Sequence, residues 1–451
     1  MAATPSFNDE PRYLRELVEL LRIPSVSQDP ARVGDMRAAA EWLAGRLAFA
    51  AGRVVESDGH PVVLGEWLGA PGAPTILVYG HYDVQPPGDE AEWETPPFEP
   101  DVRDGRVYAR GATDDKGPLL VPLLVAEGFL AQTGRLPLNV RFLLEGEEEV
   151  GSRSLPAFLR ANRELLSADL VVSADGAMWR PDEPSLTVAA RGLVAAELVV
   201  TGAASDLHSG RHGGAVANPL HALAEIVASL HAPDGSVAVA GFYDAVRPLE
   251  PEERAELARV PFDEDAYREE VGAPALHGEP DFTALERIWT RPTLEVNGVW
   301  GGGSFTVIPR LARARISCRL VPDQDPGSLV AALAEHVAAR CPAGVGVSLA
   351  AEPGGVPAYR IAPGHPAIAA AREALRRTYP DREPLLVRMG GTLPAAPLFR
   401  ELLGLETLFF SFSTGDERLH APNEFFRISR LREGLRAWAQ LWFLLAAGYP
   451  V

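Results

Sequence analysis

The chain has 451 residues, about three times the ~150-residue scale of a single domain, so two domains are expected, one inserted in the other. Hydrophobic residues make up 47% and charged residues 23%, ordinary values for a globular chain, which excludes disorder as the default state. With 42 Lys+Arg against 61 Asp+Glu the formal charge is -19, which argues against a nucleic-acid binder and against attachment to anionic membranes. The N-terminus has no basic segment followed by an apolar one, so no signal peptide is expected. The apolar stretch from Ala437 to Val451 is too short to span a bilayer. Apolar residues at helical spacing (Leu14, Leu17, Val18, Leu21) predict a helix over Pro11–Leu21, and a second follows from about Met36 to Ala50. Strand-like runs come next at Val54-Val55, Val62–Leu64 and Thr75–Tyr79, the last a short apolar run ending at Gly80 that suits a buried central strand. Pro118–Gln132 reads as a helix with proline in its first turn, and Leu138–Leu144 and Leu170–Ser173 read as strands. Strands alternating with helices predict an α/β sheet covered on both faces.

The pattern changes near residue 187. A strand over Leu193–Val200 leads into a Gly/Ser/His-rich loop and a helix from about Pro219 to Leu230. The stretch from Pro233 to Pro292 is acidic and proline-rich. Arg313–Leu320 alternates, with Ala314, Ile316, Cys318 and Leu320 on one face, and Ser328–Arg340 reads as a helix. Near Pro353-Gly354-Gly355 the pattern of the N-terminal part returns. The expected architecture is therefore a discontinuous domain, 1–186 plus 355–451, with residues 187–354 inserted as a smaller sheet-and-helix domain. Two cysteines, Cys318 and Cys341, are too few for a disulfide framework or a Cys-built zinc site. A soluble, cytoplasmic protein is expected.

Acidic and histidine residues collect at the ends of the predicted strands. His81 and Asp83 sit two apart in Gly80-His81-Tyr82-Asp83, a spacing that lets an Asp fix the tautomer of a ligating imidazole. Asp114 and Asp115 lie in the glycine-flanked turn Gly111–Gly117, whose bland reading is an Asp N-cap. Glu147-Glu148-Glu149 follow an apolar strand. Alone they are a solvated acidic turn, but a bound dication would reverse their repulsion. Asp175 marks another strand end, and His420 lies in Leu419–Glu424. Two histidines and three or more carboxylates beyond the carboxyl ends of the strands suit zinc, with manganese or cobalt as alternatives. They are too many for one open catalytic zinc and suit two ions sharing a carboxylate.

The ordered set Gly80–Asp83, Gly111–Gly117, Glu147–Glu149, Asp175, Asp206-Leu207-His208-Ser209-Gly210 and His420 closely resembles the M20 metallopeptidases over nearly the whole chain. The wording around Asp114 and His208, with Thr306–Pro309 and Arg319–Pro322, is most similar to the carnosinase-like branch of cytosolic nonspecific dipeptidases. The resemblance implies a mixed-sheet catalytic domain of the zinc-dependent exopeptidase type with an inserted α+β lid that also dimerises. It implies that His81, Asp175 and a bridging Asp114 hold one metal, and Asp114, Glu149 and His420 the other. Glu148 would be the general base for a water between the metals, Asp83 would orient His81, and the Asp114–Asp115 peptide would be cis. His208 and Thr306 would reach the partner subunit's site, with His208 steadying the oxyanion. Arg319 would grip the substrate's C-terminal carboxylate, and Gly390-Gly391-Thr392 would form a substrate loop.

Two departures stand out. The carnosinase-like pattern has a Glu before its Gly-Gly-Ser loop, where this chain has Met389, and a His before Gly-Gly, where this chain has Glu352-Pro353. Both bear on recognition of a substrate's free amino group. The expected activity is therefore di-metal hydrolysis of the amide bond of dipeptides. The alternative is an N-acyl-amino-acid deacylase or desuccinylase of the same family.

Overall fold

Thr75–His81 lies inside a six-stranded mixed sheet whose order is Arg53–Val55, Val62–Trp67, Asn139–Glu145, Thr75–His81, Leu170–Ser173 and Thr407–Phe409. A computed structural model of the chain describes residues 4–303 and 305–448. Thr75–His81 pairs in parallel with Asn139–Glu145 and with Leu170–Ser173, which in turn pairs in parallel with Thr407–Phe409. The two strands at the other edge pair antiparallel. Because neighbouring parallel strands run the same way, His81, Glu145 and Ser173 close their strands at one edge of the sheet. That edge is where loops bearing ligands belong in an α/β fold.

One face of the sheet packs Leu64, Leu77, Tyr79, Leu143 and Val171 against Leu155, Phe158 and Leu159 of the helix Leu155–Ala161. The helix Lys116–Thr133 packs against the same central strand. It starts with Lys116 rather than Pro118, and it carries Pro122 inside it. Its N-terminus comes so close that a Cβ on Gly80 would lie 2.8 Å from Asp115 Oδ2 and from Leu119 Cδ1, which is why the strand ends on glycine before His81. A small three-stranded sheet pairs Phe425–Arg427 with Arg106–Tyr108, and so brings two loops distant in sequence side by side.

The chain divides into two compact units. The first comprises Met1–Val188, Ile361–Val387 and Pro394–Val451, and the second comprises Ala189–Arg360 with Arg388–Leu393. The second unit holds a four-stranded antiparallel sheet ordered Thr293–Gly301, Leu311–Leu320, Gly192–Thr201 and Gly346–Ala351. Ala312, Ala314, Ile316, Cys318 and Leu320 face inward with Val194, Leu198 and Val200 against the helices Pro219–Ala228 and Pro326–Ala339. The acidic stretch before residue 292 folds as three short helices, Pro251–Leu257, Glu264–Glu270 and Ala284–Thr290.

The compact units differ from the expected limits at both joins, where 187–188 group with the first unit and 355–360 with the second, and in one further segment. Residues Arg388–Leu393, read from sequence as part of the domain 355–451, group with the second unit. The cause is a set of polar contacts. The Arg191 backbone N–H donates to Met389 O (3.2 Å) and its Nε to Gly390 O (3.0 Å). Arg388 pairs with Glu253 at 2.9 Å, and Arg319 donates to Thr392 Oγ1 at 2.7 Å. So brief a return of the chain leaves no change of composition to read. No helix among the described residues is long and apolar enough to cross a membrane, and residues 449–451 of the C-terminal apolar stretch lie outside those described.

Candidate metal centre

Each candidate metal ligand lies in the first unit at a strand end or on a loop fixed by buried polar groups. His81 closes its strand, Glu148 and Glu149 open the single turn Glu148–Val150 past the next strand, and Asp175 lies two residues past Leu170–Ser173. Asp114 precedes the helix Lys116–Thr133, and its peptide to Asp115 is cis. His420 sits in the loop before Phe425, with φ +58°.

These side chains form two groups of three that share Asp114. Ligand atoms of His81, Asp114 and Asp175 lie within 4.8 Å of one another, and so do those of Asp114, Glu149 and His420. One carboxylate oxygen of Asp114 is 3.2 Å from His81 Nε2 and the other is 2.9 Å from His420 Nε2. His420 Nε2 is also 3.4 Å from Glu149 Oε2. On the far side of its ring, His81 Nδ1 meets Asp83 O at 3.0 Å and Asp83 Oδ1 at 3.3 Å. Two acceptors there favour the Nδ1–H tautomer, which leaves the Nε2 lone pair aimed at Asp114.

Asp83 does more than face His81. Its two oxygens also accept the backbone N–H groups of Glu148 (3.2 Å) and Glu149 (3.1 Å), so one buried carboxylate sets the imidazole and the turn that carries both glutamates. The acidic run is accordingly not a solvated turn. The Glu149 side chain is 3% exposed and accepts from Gln85 Nε2 at 2.8 Å. Glu147 is structural, accepting from His60 N and Ser154 N. Asp115 occupies the N-cap position of its helix without capping it; its Oδ2 accepts the His81 backbone N–H at 3.2 Å.

Burial and mutual repulsion shape the charges. Burial pushes the Glu149 carboxyl up to about 7 and that of Asp175 up to about 6, with the charge of Asp114 adding to both. Burial also holds Glu148 well above the usual carboxylate range. Burial would raise Asp114 too, but hydrogen bonds with His420 and His81 hold it well below that range. Glu148 belongs to neither three-donor group, and its carboxylate has no hydrogen-bond partner among the described residues.

The remaining predicted site residues lie in the second unit. His208 ends the short strand Leu207–His208 and pairs with Val307 of the strand Val307–Ile308, which Thr306 precedes, and Ser209 donates to Thr306 O through N (3.0 Å) and Oγ (2.8 Å). His208 Nδ1 accepts the Gly210 N–H at 3.1 Å. Arg319 donates to Thr392 Oγ1, which brings together the predicted carboxylate grip and the Gly390-Gly391-Thr392 loop. Away from the site, His336 is buried with Nε2 3.0 Å from Ser229 Oγ, and His365 caps the helix Pro366–Thr378 by accepting the Ala367 N–H at 3.2 Å.

Sequence reasoning missed Gln85, Glu417 and Glu424. Glu424 is fully buried, and it accepts from Arg110, Gly111, Thr113 and Asp114 more than 300 positions away in the chain. Partners so far apart leave no spacing signature.

A family model described as peptidase family M20/M25/M40 matches residues 77–443, well over half of the chain. This chain belongs to peptidase family M20/M25/M40. Among the relatives of this M20-family chain, Cys-Gly metallodipeptidase dug1 of Schizosaccharomyces pombe is 32% identical over 400 residues, covering 86% of this chain and 84% of the other. The human Beta-Ala-His dipeptidase is 29% identical over 401 residues, covering 86% and 78%. Among solved structures, the M20 family metallo-carboxypeptidase Sso-CP2 of Sulfolobus solfataricus superposes with a TM-score of 0.86 at 30% identity, covering 98% and 100%. The family implies bound metal, and the donors present fit it. Two N/O sets share one carboxylate, and their buried acids repel one another in the way a pair of dications would relieve.

Proposed function

We propose that this chain hydrolyses the amide bond of dipeptides with two divalent cations, zinc first among them and manganese or cobalt suited to the same donors. The observation that carries this reading is the pair of three-donor groups joined by Asp114, with Glu148 beside them and committed to neither. His81, Asp114 and Asp175 would hold one cation, and Asp114, Glu149 and His420 the other. Bound there, the pair would polarise a carbonyl and make water acidic. Glu148, partly buried and held above the usual carboxylate range, would take the proton from that water and pass it to the leaving amine. Asp83 would keep His81 and the glutamate turn in place. The second unit would act as lid, with Arg319 gripping the substrate's C-terminal carboxylate, Gly390-Gly391-Thr392 forming a substrate loop, and His208 and Thr306 reaching the partner subunit's site, where His208 would steady the oxyanion.

Relatives named as dipeptidases and a neighbour named as a carboxypeptidase favour a free peptide over an acylated amino acid. Met389 keeps the question of the amino group testable. The metal-loaded protein should cleave a free dipeptide faster than the N-acetylated amino acid of the same residue; preference for the acylated compound would replace this reading with a deacylase. Two unpaired cysteines fit a reducing, cytoplasmic setting. A dimer through the second unit fits its exposed apolar side chains, Trp300 at 54% and Phe305 at 84%. A fully active monomer in light scattering would sink the dimer.

A further inference from the structure

The loop carrying Asp114 and the loop carrying His420 are fastened together at one residue, Thr113. All of its polar groups are bound by the segment 413–424. The Thr113 N–H donates to Glu424 Oε1 at 2.9 Å, its hydroxyl donates to Glu417 Oε2 at 2.5 Å, and its carbonyl accepts from Ser413 Oγ at 2.6 Å. Glu424 extends the clasp to both sides: Oε1 also accepts the Asp114 N–H (3.2 Å), and Oε2 accepts the Gly111 N–H (2.9 Å) and Arg110 Nη1 (2.7 Å). Glu417 in turn accepts from Thr414 N (3.1 Å) and from Arg427 N and Nη1 (3.2 and 3.0 Å). Both carboxylates are fully buried; Glu424 pairs with Arg110, and Glu417 pairs with Arg427, which it shares with Asp416.

We infer that Glu424 and Glu417 are positioning residues that set the affinity of the site made by Asp114, Glu149 and His420. The inference rests on reading Asp114 and His420 as metal ligands, and goes beyond it by assigning the two glutamates and an asymmetry. His420 serves only one of the two groups. Among the described residues, no hydrogen bond joins the side chain of His81 or of Asp175 to the segment 413–424; the link on that side is made by backbone, the Met178 N–H donating to Ser413 O at 2.8 Å. Asp114, though shared by both groups, is also held by the helix Lys116–Thr133 that follows it and by Asp115 Oδ2 on the His81 N–H, so loosening the clasp moves His420 away from Asp114 more than it moves Asp114 away from His81 and Asp175. A carboxylate is needed at 424 because four donors converge on it; an amide offers one acceptor oxygen and would turn its NH₂ toward an N–H. Outer groups that hold metal ligands typically alter affinity by about 10- to 100-fold.

The test is Mn²⁺ binding to the full chain by calorimetry, with the melting temperature of the EDTA-treated protein measured alongside. Wild type should bind two ions. Thr113→Val removes the Glu417 link without touching Glu424, and Glu424→Gln disrupts the larger set. In each, one ion should weaken by about 10-fold or more while the other stays within about 3-fold, with metal-free Thr113→Val still melting cooperatively and lower by no more than about 5 °C. Thr113→Ser keeps the hydroxyl and should restore wild-type binding. Unchanged isotherms in Thr113→Val, equal weakening of both ions, or no rescue by serine would overturn the clasp. A wild-type chain that binds no divalent ion would instead overturn the metal reading beneath it.

Discussion

At the scale of single residues, the division of labour among the carboxylates is what experiment can separate. Glu148 belongs to neither donor group, so Glu148→Gln should leave Mn²⁺ stoichiometry intact while kcat falls by roughly 10²- to 10⁴-fold, the usual worth of a general base. Near-normal kcat would move the base elsewhere. The two cysteines offer a test away from the chemistry. Cys318 is 1% exposed, and burial, with Glu295 adding, pushes its thiol up to about 12, whereas Cys341 is only half-buried. Since the thiolate is the reactive form, the native protein should titrate one equivalent of a thiol reagent, at Cys341, and release the second only on unfolding. Residue-level legibility in the sequence followed locality. His81, Asp114, Glu149, Asp175 and His420, which the structure brings into the two three-donor groups, stand in short local motifs that the resemblance could match. Glu417 and Glu424 could not be read, because their importance lies in donors brought near only by the pairing of Phe425–Arg427 with Arg106–Tyr108.

At the scale of elements, periodicity marked what was buried and missed where chain ends are set by caps. The alternation over 313–320 placed Ala314, Ile316, Cys318 and Leu320 on one face, and the sheet buries those four. The strand itself runs longer, Leu311–Leu320, because Gly192–Thr201 pairs along its full length. The helix read from Ser328 begins at Pro326, where Asp325 caps Ser328 N at 2.7 Å. Leu198 lies fully buried in the middle of this sheet, so Leu198→Ala should cost about 2–5 kcal/mol in denaturant unfolding. A loss under about 1 kcal/mol would mean that the sheet repacks freely. On the surface, Arg376 grips Glu383 through two hydrogen bonds (2.6 and 2.9 Å) and Arg372 adds a third at 3.0 Å. These hold the Glu383 carboxyl down at about 2, chiefly through Arg376. A depressed acid contributes stability above its unfolded pKa, near 4.5, and loses that contribution as pH falls through about 2. Glu383→Gln should therefore cost up to about 1 kcal/mol at pH 7, limited by solvent screening, and progressively less between pH 4.5 and 2. A constant gap across that range would assign the effect to packing instead.

At the scale of the whole molecule, the candidate ligands are confined to one unit while both units carry their own cores. Ligand binding stabilises only the structure that holds the ligand, by about 2.7 kcal/mol at a hundredfold excess over Kd. Metal should therefore raise the melting temperature of the first unit, by roughly 5 °C or more, and chelation should remove that gain. Leu198→Ala marks the other unit, because Leu198 belongs to its core. If the units melt separately, scanning calorimetry should show one transition that follows metal and ignores Leu198→Ala, and another that follows the substitution and ignores metal. A single transition that moves with both would mean that the units unfold as one cooperative body. The stability of the inserted unit would then be a direct control on metal occupancy, since weakening its core would lower the temperature at which the ligands are lost.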